Sequence, residues 1–108
     1  MTSFDDRQRA FETKFARDQE VQFKIVARRN RLLGQWAAKK MGLTEAEADA
    51  YARDVIRADF EEAGDEDVIR KLLGDLTSAG VEVDEAEIRA QVEHKAEEAR
   101  RHVIETME

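Results

Sequence analysis

Apolar positions recur every three to four residues over most of the chain, the period of a helix with one buried face. From Val21 the stripe holds Ile25, Val26, Leu32, Leu33 and Trp36. A second stretch carries Ala48, Tyr51, Ala52, Val55, Ile56 and Phe60. A third carries Val68, Ile69, Leu72, Leu73 and Leu76, and a fourth Ile88, Val92, Ala96, Ala99 and Val103. Gly42, Gly64 and Gly80 fall where these stretches stop, as expected of the residue that takes the left-handed turn after a helix. Start signals follow each glycine. Thr44 with Glu47 and Asp84 with Glu87 form capping boxes, and Val83 is placed to staple onto Ile88. Asp65 is placed to cap the third start, with Glu66 and Asp67 at the positive end of the helix dipole. Lys39 and Lys40 sit near the end of the first helix, where cations are favoured. The pattern predicts helices over 4–41, 45–63, 66–79 and 85–106. Short connections favour antiparallel neighbours, so the fold class expected is all-α, a four-helix bundle. Gly34 and Gly74 lie inside helices, where close packing is expected, Gly34 near the Trp36 ring.

The first helix is out of proportion to the rest. A continuous helix over 4–41 would run about 57 Å, against roughly 21 to 33 Å for the others. Its opening eighteen residues contain Phe4, Phe11 and Phe15 and little else apolar. Spacings of seven and four place these three on one side of a helix. Such a stripe can anchor a helix in a groove of another protein, but it is too sparse to hold an isolated helix in water. The expectation is therefore a mobile segment over 1–19, helical when bound, extending the first helix of a bundle over 20–108. Folding back onto the bundle, or pairing with a second copy, are the competing outcomes.

Composition removes several function classes. With no cysteine in 108 residues there is no disulfide framework and no thiolate chemistry, and with no proline the helices can run unbroken. No apolar run is long enough to cross a bilayer, and the opening Met1–Arg7 lacks the pattern of a secretory signal. The chain is accordingly expected in the compartment where it is made. A net charge of −7 argues against nucleic-acid binding. The charge is unevenly spread. Residues 20–43 hold Lys24, Arg28, Arg29, Arg31, Lys39 and Lys40 against one acid, and residues 44–108 sum to −12. A basic helix packed beside acidic ones explains this; docking of Arg28, Arg29 and Arg31 on an acidic partner is the functional alternative. No P-loop, glycine-rich phosphate turn or Ser–His–acid set is present, so no enzyme is expected. His94, Glu98 and His102 have i, i+4 spacing on the last helix, which reads as ordinary exposed positions before it reads as a metal site.

Two blocks of text carry a resemblance. The first is Phe4-Asp5-Asp6-Arg7, Lys14-Phe15-Ala16, Ala27-Arg28-Arg29-Asn30-Arg31-Leu32-Leu33-Gly34 and Trp36-Ala37-Ala38. The second runs from Asp59 to Val68 and on through Asp75-Leu76 and Ala79-Gly80-Val81. Together they resemble the zeta subunit of alphaproteobacterial F-type ATP synthases over essentially the whole chain. The resemblance implies a regulatory inhibitor whose N-terminal segment enters the catalytic head at an interface of alpha and beta subunits near gamma and blocks ATP hydrolysis. Carried over by position, Phe4, Phe11 and Phe15 would be apolar anchors, and Asp5, Asp6, Arg7, Arg9, Lys14 and Arg17 polar contacts. The partners implied are the alpha, beta and gamma subunits, with the free protein a monomer. The location implied is cytoplasmic, at the inner face of the cell membrane through the complex. No cofactor and no metal are expected, with weak nucleotide binding by the bundle left open. A nucleotide-sensing bundle and a non-inhibitory structural subunit of the same complex are the alternative functions.

Overall fold

The computed structural model describes residues 4–59 and 65–106, with side chains described from residue 18 onward. The described residues form four helices, α1 Phe4–Lys40, α2 Glu45–Asp59, α3 Glu66–Ser78 and α4 Glu85–Glu105, and no strand. The predicted starts agree to the residue. The end predicted for the second helix, near 63, lies outside the described residues, as do Phe60 and Gly64.

Local chemistry accounts for the boundaries. Gly42 and Gly80 have φ of 74° and 81°, a conformation that strains any residue with a Cβ. At each, a pair of hydrogen bonds closes the helix: Gly42 N–H to Lys39 O with Leu43 N–H to Ala38 O, and Gly80 N–H to Thr77 O with Val81 N–H to Leu76 O. This is the Schellman arrangement, which satisfies carbonyls left over at a helix end. The α2 capping box forms in both directions, Thr44 N–H donating to Glu47 and Glu47 N–H to the Thr44 hydroxyl. The Glu47 carboxyl is held below its ordinary range by these bonds to Thr44. Asp84 accepts from Glu87 N–H at the start of α4. At α3 the expectation needs correction. Asp65 precedes the helix in a helical conformation and makes no side-chain cap, because its carboxylate is taken by Arg29.

Helix α1 is the spine. It packs against α2, α3 and α4, whereas α2 and α4 do not meet each other among the described residues. The contacts run in opposite senses along the pairs: Gly34 meets Ala52 while Arg29 meets Asp59, and Lys40 meets Glu87 while Ile25 meets Val103. Both neighbours therefore lie antiparallel to α1. The larger core gathers Leu33, Ala37, Val55, Val68, Ile69, Leu72, Leu76, Ile88 and Val92, with Trp36 and Val83 packed against it. Leu33, Leu72, Leu76 and Ile88 are wholly buried, each contributing on the order of 1.5–3 kcal/mol of apolar transfer. A smaller cluster of Ile25, Ala99 and Val103, with Val21 and Leu32 against it, seals the far end of α4 onto α1. The fit at Gly34 is tighter than expected and its partner is different. A Cβ there would lie 2.6 Å from Ala52 Cα, so the bare backbone serves the approach of α2. Gly74 corrects the expectation outright, since a Cβ there would meet nothing within 4 Å.

Candidate functional site along the first helix

Among the residues whose side chains are described, Val21 is the first of α1 packed against a core cluster. The helix continues for seventeen residues toward Phe4, a projection of about 26 Å. The molecule accordingly extends 65 Å along its long axis and only 25 and 21 Å across. Phe4, Asp5, Asp6, Arg7, Arg9, Phe11, Lys14, Phe15 and Arg17 are all carried on this projecting part of α1. Their side chains, and the mobility expected of residues 1–19, lie outside the described residues.

The three arginines considered for docking do not form one surface. Arg31 is exposed and borders a shallow depression with Asp49 and Arg53. Arg28 is half-buried beside Leu32, Glu98 and His102 of the α1–α4 cleft, and its Nε is buried without a hydrogen-bond partner among the described residues. Arg29 is inside the molecule, 6% exposed. It donates from Nε and Nη2 to the Asn30 carboxamide oxygen, at 3.0 and 2.9 Å, and from Nη1 to Asp65 at 2.8 Å. Asp59 lies 3.7 Å from Nη2. Arg29 thus ties α1 to the last described residue of α2 and to the residue before α3, and its charge is spent within the chain. Its position announced this: residues 25, 29, 33 and 37 step by four along the buried face, so Arg29 sits where an apolar residue is expected. Asn30, 1% exposed, was given no role by pattern reading and completes the group.

A second polar cluster joins α2 to α3. The Tyr51 hydroxyl donates to Asp75 at 2.7 Å, Lys71 lies 3.1 Å from the same carboxylate, and its ammonium stands 5.2 Å from the Tyr51 ring centre. Burial, and then the Asp75 carboxylate, push the Tyr51 hydroxyl far above the ordinary phenol range. Such a phenol is locked in its protonated form and serves as a structural donor. His94 and His102 are exposed, and no group of three or more His, Asp or Glu side chains placed to hold a metal occurs among the described residues. No described helix is long and apolar enough to cross a membrane.

What the arrangement offers is a helix that outruns its own bundle, with the candidate contact residues grouped on the part beyond it. Comparison with known proteins bears on what such a helix does. No curated relative matches the chain. A protein whose structure was determined by solution NMR is 48% identical, the match covering 80% of this chain and 98% of that one, with a TM-score of 0.70. The model of a family described as ATPase inhibitor subunit zeta matches residues 1–102, the projecting helix included. The family to which the sequence blocks pointed is therefore the right one: the chain belongs to the ATPase inhibitor subunit zeta family.

Proposed function

We propose that this protein is a regulatory subunit that binds the catalytic head of F-type ATP synthase and blocks ATP hydrolysis by inserting the N-terminal part of α1 at an alpha/beta interface near gamma. The observation that carries the reading is the projection of α1 beyond Val21, in a chain whose family match includes it. Phe4, Phe11 and Phe15 anchor the inserted helix, with Asp5, Asp6, Arg7, Arg9, Lys14 and Arg17 making polar contacts around them. A helix seated where a catalytic interface must open obstructs rotation in the hydrolytic direction. The bundle contributes by tethering: held on the outside of the head, it raises the effective concentration of the segment at its site. Arg31 is the member of the arginine group suited to meet an acidic partner surface, being exposed. The chain acts by binding and needs no cofactor.

The test measures ATP hydrolysis by heads from the same cells with full-length protein and with a version lacking residues 2–19. Full-length protein should inhibit and the truncated one should not. Binding of full-length protein with hydrolysis unchanged would remove the inhibitor role and leave a structural subunit.

A further inference from the structure

Helix α1 has three neighbours among the described residues, and they do not surround it. Arg28 borders a depression shared with Glu98, His102 and Glu105 of α4, and Arg31 borders another, shared with Asp49, Arg53 and Ile56 of α2. Arg29 lies about 100° round α1 from Arg28 and reaches Asp65 before α3, while Arg31 lies about 60° round in the opposite sense. The face about Arg28 and Arg31 is thus turned away from α3, with α4 along one edge and α2 along the other.

This face is basic along its length. Lys24, Arg28, Arg31, Gln35 and Lys39 step by four, three, four and four, which keeps them on one side of the helix. Lys24, Arg31 and Lys39 are exposed, and Arg28 and Gln35 are half-buried. From Lys24 to Lys40 α1 contains no acidic residue. The strip is about 22 Å long, some four turns.

A basic helix packed among acidic ones should spend its charges on its neighbours. Arg29 and Lys40 do so, on Asp59, Asp65 and Glu87. Lys24 pairs within its own helix, with Glu20. Arg28, Arg31 and Lys39 form no ion pair among the described residues, nor does Arg53 on the α2 edge, although acids outnumber bases 25 to 18 in the chain. The acids bordering the strip, Asp49, Glu98 and Glu105, stand on its edges, and Glu98 is turned to Lys95. Charge balance within the bundle leaves the strip unexplained.

Its shape selects the class of partner. Packed helices lie about 8–10 Å apart, and the strip is what a fourth neighbour of α1 would cover. A membrane or a nucleic acid would bring negative charge over a wider surface, against a chain of net charge −7. A single helix would meet the strip alone, with charges farther than about 10 Å largely screened near 0.1 M salt.

We propose that this open side of α1 is a docking strip for an acidic helix of a partner protein, lying along α1 with its carboxylates on Lys24, Arg28, Arg31 and Lys39 and on Arg53 at the edge. The inference stands apart from the inhibitor reading, which concerns the projecting part of the helix.

The test follows amide shifts of the full-length protein during titration with a blocked, alanine-based helical peptide of about eighteen residues that carries glutamate on one face. The same peptide with glutamine is the reference. At low salt the glutamate peptide should shift the amides of residues 24–39 and of Arg53, and the glutamine peptide should not. Raising the salt to about 0.2 M should weaken binding at least fivefold. Arg31→Glu combined with Arg53→Glu should abolish the shifts with the melting temperature unchanged. Absence of shifts, shifts elsewhere on the chain, or shifts that survive the double variant overturn the strip. Preference of these residues for phosphatidylcholine–phosphatidylserine vesicles also overturns it, by naming a membrane, and so does their broadening on addition of unlabelled protein, by naming a second copy. Should the double variant not fold, the position of the shifts and their salt dependence decide.

Discussion

Gly34 and Gly74 share a helical context and differ in what surrounds them. At Gly34 a methyl group would collide with the backbone of α2, which can yield only by moving the whole helix. Gly34→Ala is therefore expected to destabilise the fold by about 1–3 kcal/mol. At Gly74 a methyl group meets nothing and relieves the entropy cost of an exposed helical glycine. Gly74→Ala should stabilise by about 0.5–1 kcal/mol. Urea titration of both variants checks the pair, and equal signs would contradict the packing. Arg29 gives a third expectation. Replacing it with Met leaves the buried Asn30 carboxamide oxygen without its donor and removes the pairing with Asp59 and Asp65, at a cost of about 2–3 kcal/mol. Arg31→Ala should change stability by less than about 0.5 kcal/mol, because that side chain is exposed. Pattern reading grouped these arginines because it sees charge and misses azimuth. Placing Arg29 on the four-residue steps of the buried face separates it from its neighbours.

Element boundaries were legible because they depend on near neighbours. Thr44, Gly42, Gly80 and Asp84 act within four residues of themselves, and each does what its residue type predicts. Asp65 was misread because its partner, Arg29, is thirty-six positions away and no local rule can weigh it. The start of α3 also carries a long-range pairing that is equally invisible in sequence. Arg89 of α4 donates to Glu66 at 2.9 Å and to Glu85 at 3.2 Å. The Arg89 guanidinium holds the Glu66 carboxyl below its ordinary range. A carboxyl so depressed binds its proton more weakly in the folded chain than in the unfolded one. Its contribution is present above the ordinary carboxylate range and fades as pH falls through the lowered value. Both groups are exposed, so the effect is small. Glu66→Gln should make acid unfolding slightly less steep as pH falls through and below the ordinary carboxylate range, and leave neutral stability nearly unchanged. Urea midpoints at successive pH values measure this.

At the scale of the molecule, the division of labour between the two parts of α1 yields the clearest expectation. The backbone that carries Phe11 and Phe15 belongs to the projecting part of α1. Phe11→Ala with Phe15→Ala should lower the affinity for the ATP synthase head at least tenfold while the melting temperature stays within a degree or two. A drop as large as a core truncation causes, about 3–5 kcal/mol, would place those rings in the fold. The bundle and the excess length of its first helix were readable from periodicity alone. The central position of α1 was not, because period tells which face is buried and leaves open against what.

That central position has a consequence for how the protein is made. Helix α1 is made before the helices that cover it: Val21 and Ile25 pack against Ala99 and Val103, more than seventy positions later in the chain. At about 5–20 residues per second, some 4 to 15 seconds separate the synthesis of Ile25 from that of Val103. Throughout that interval the part of the nascent helix around Ile25 lacks the cover that α4 gives it in the finished fold. Newly made chains should therefore be an early client of ribosome-associated chaperones, and a nonsense mutation before codon 99 should yield a product cleared by proteolysis.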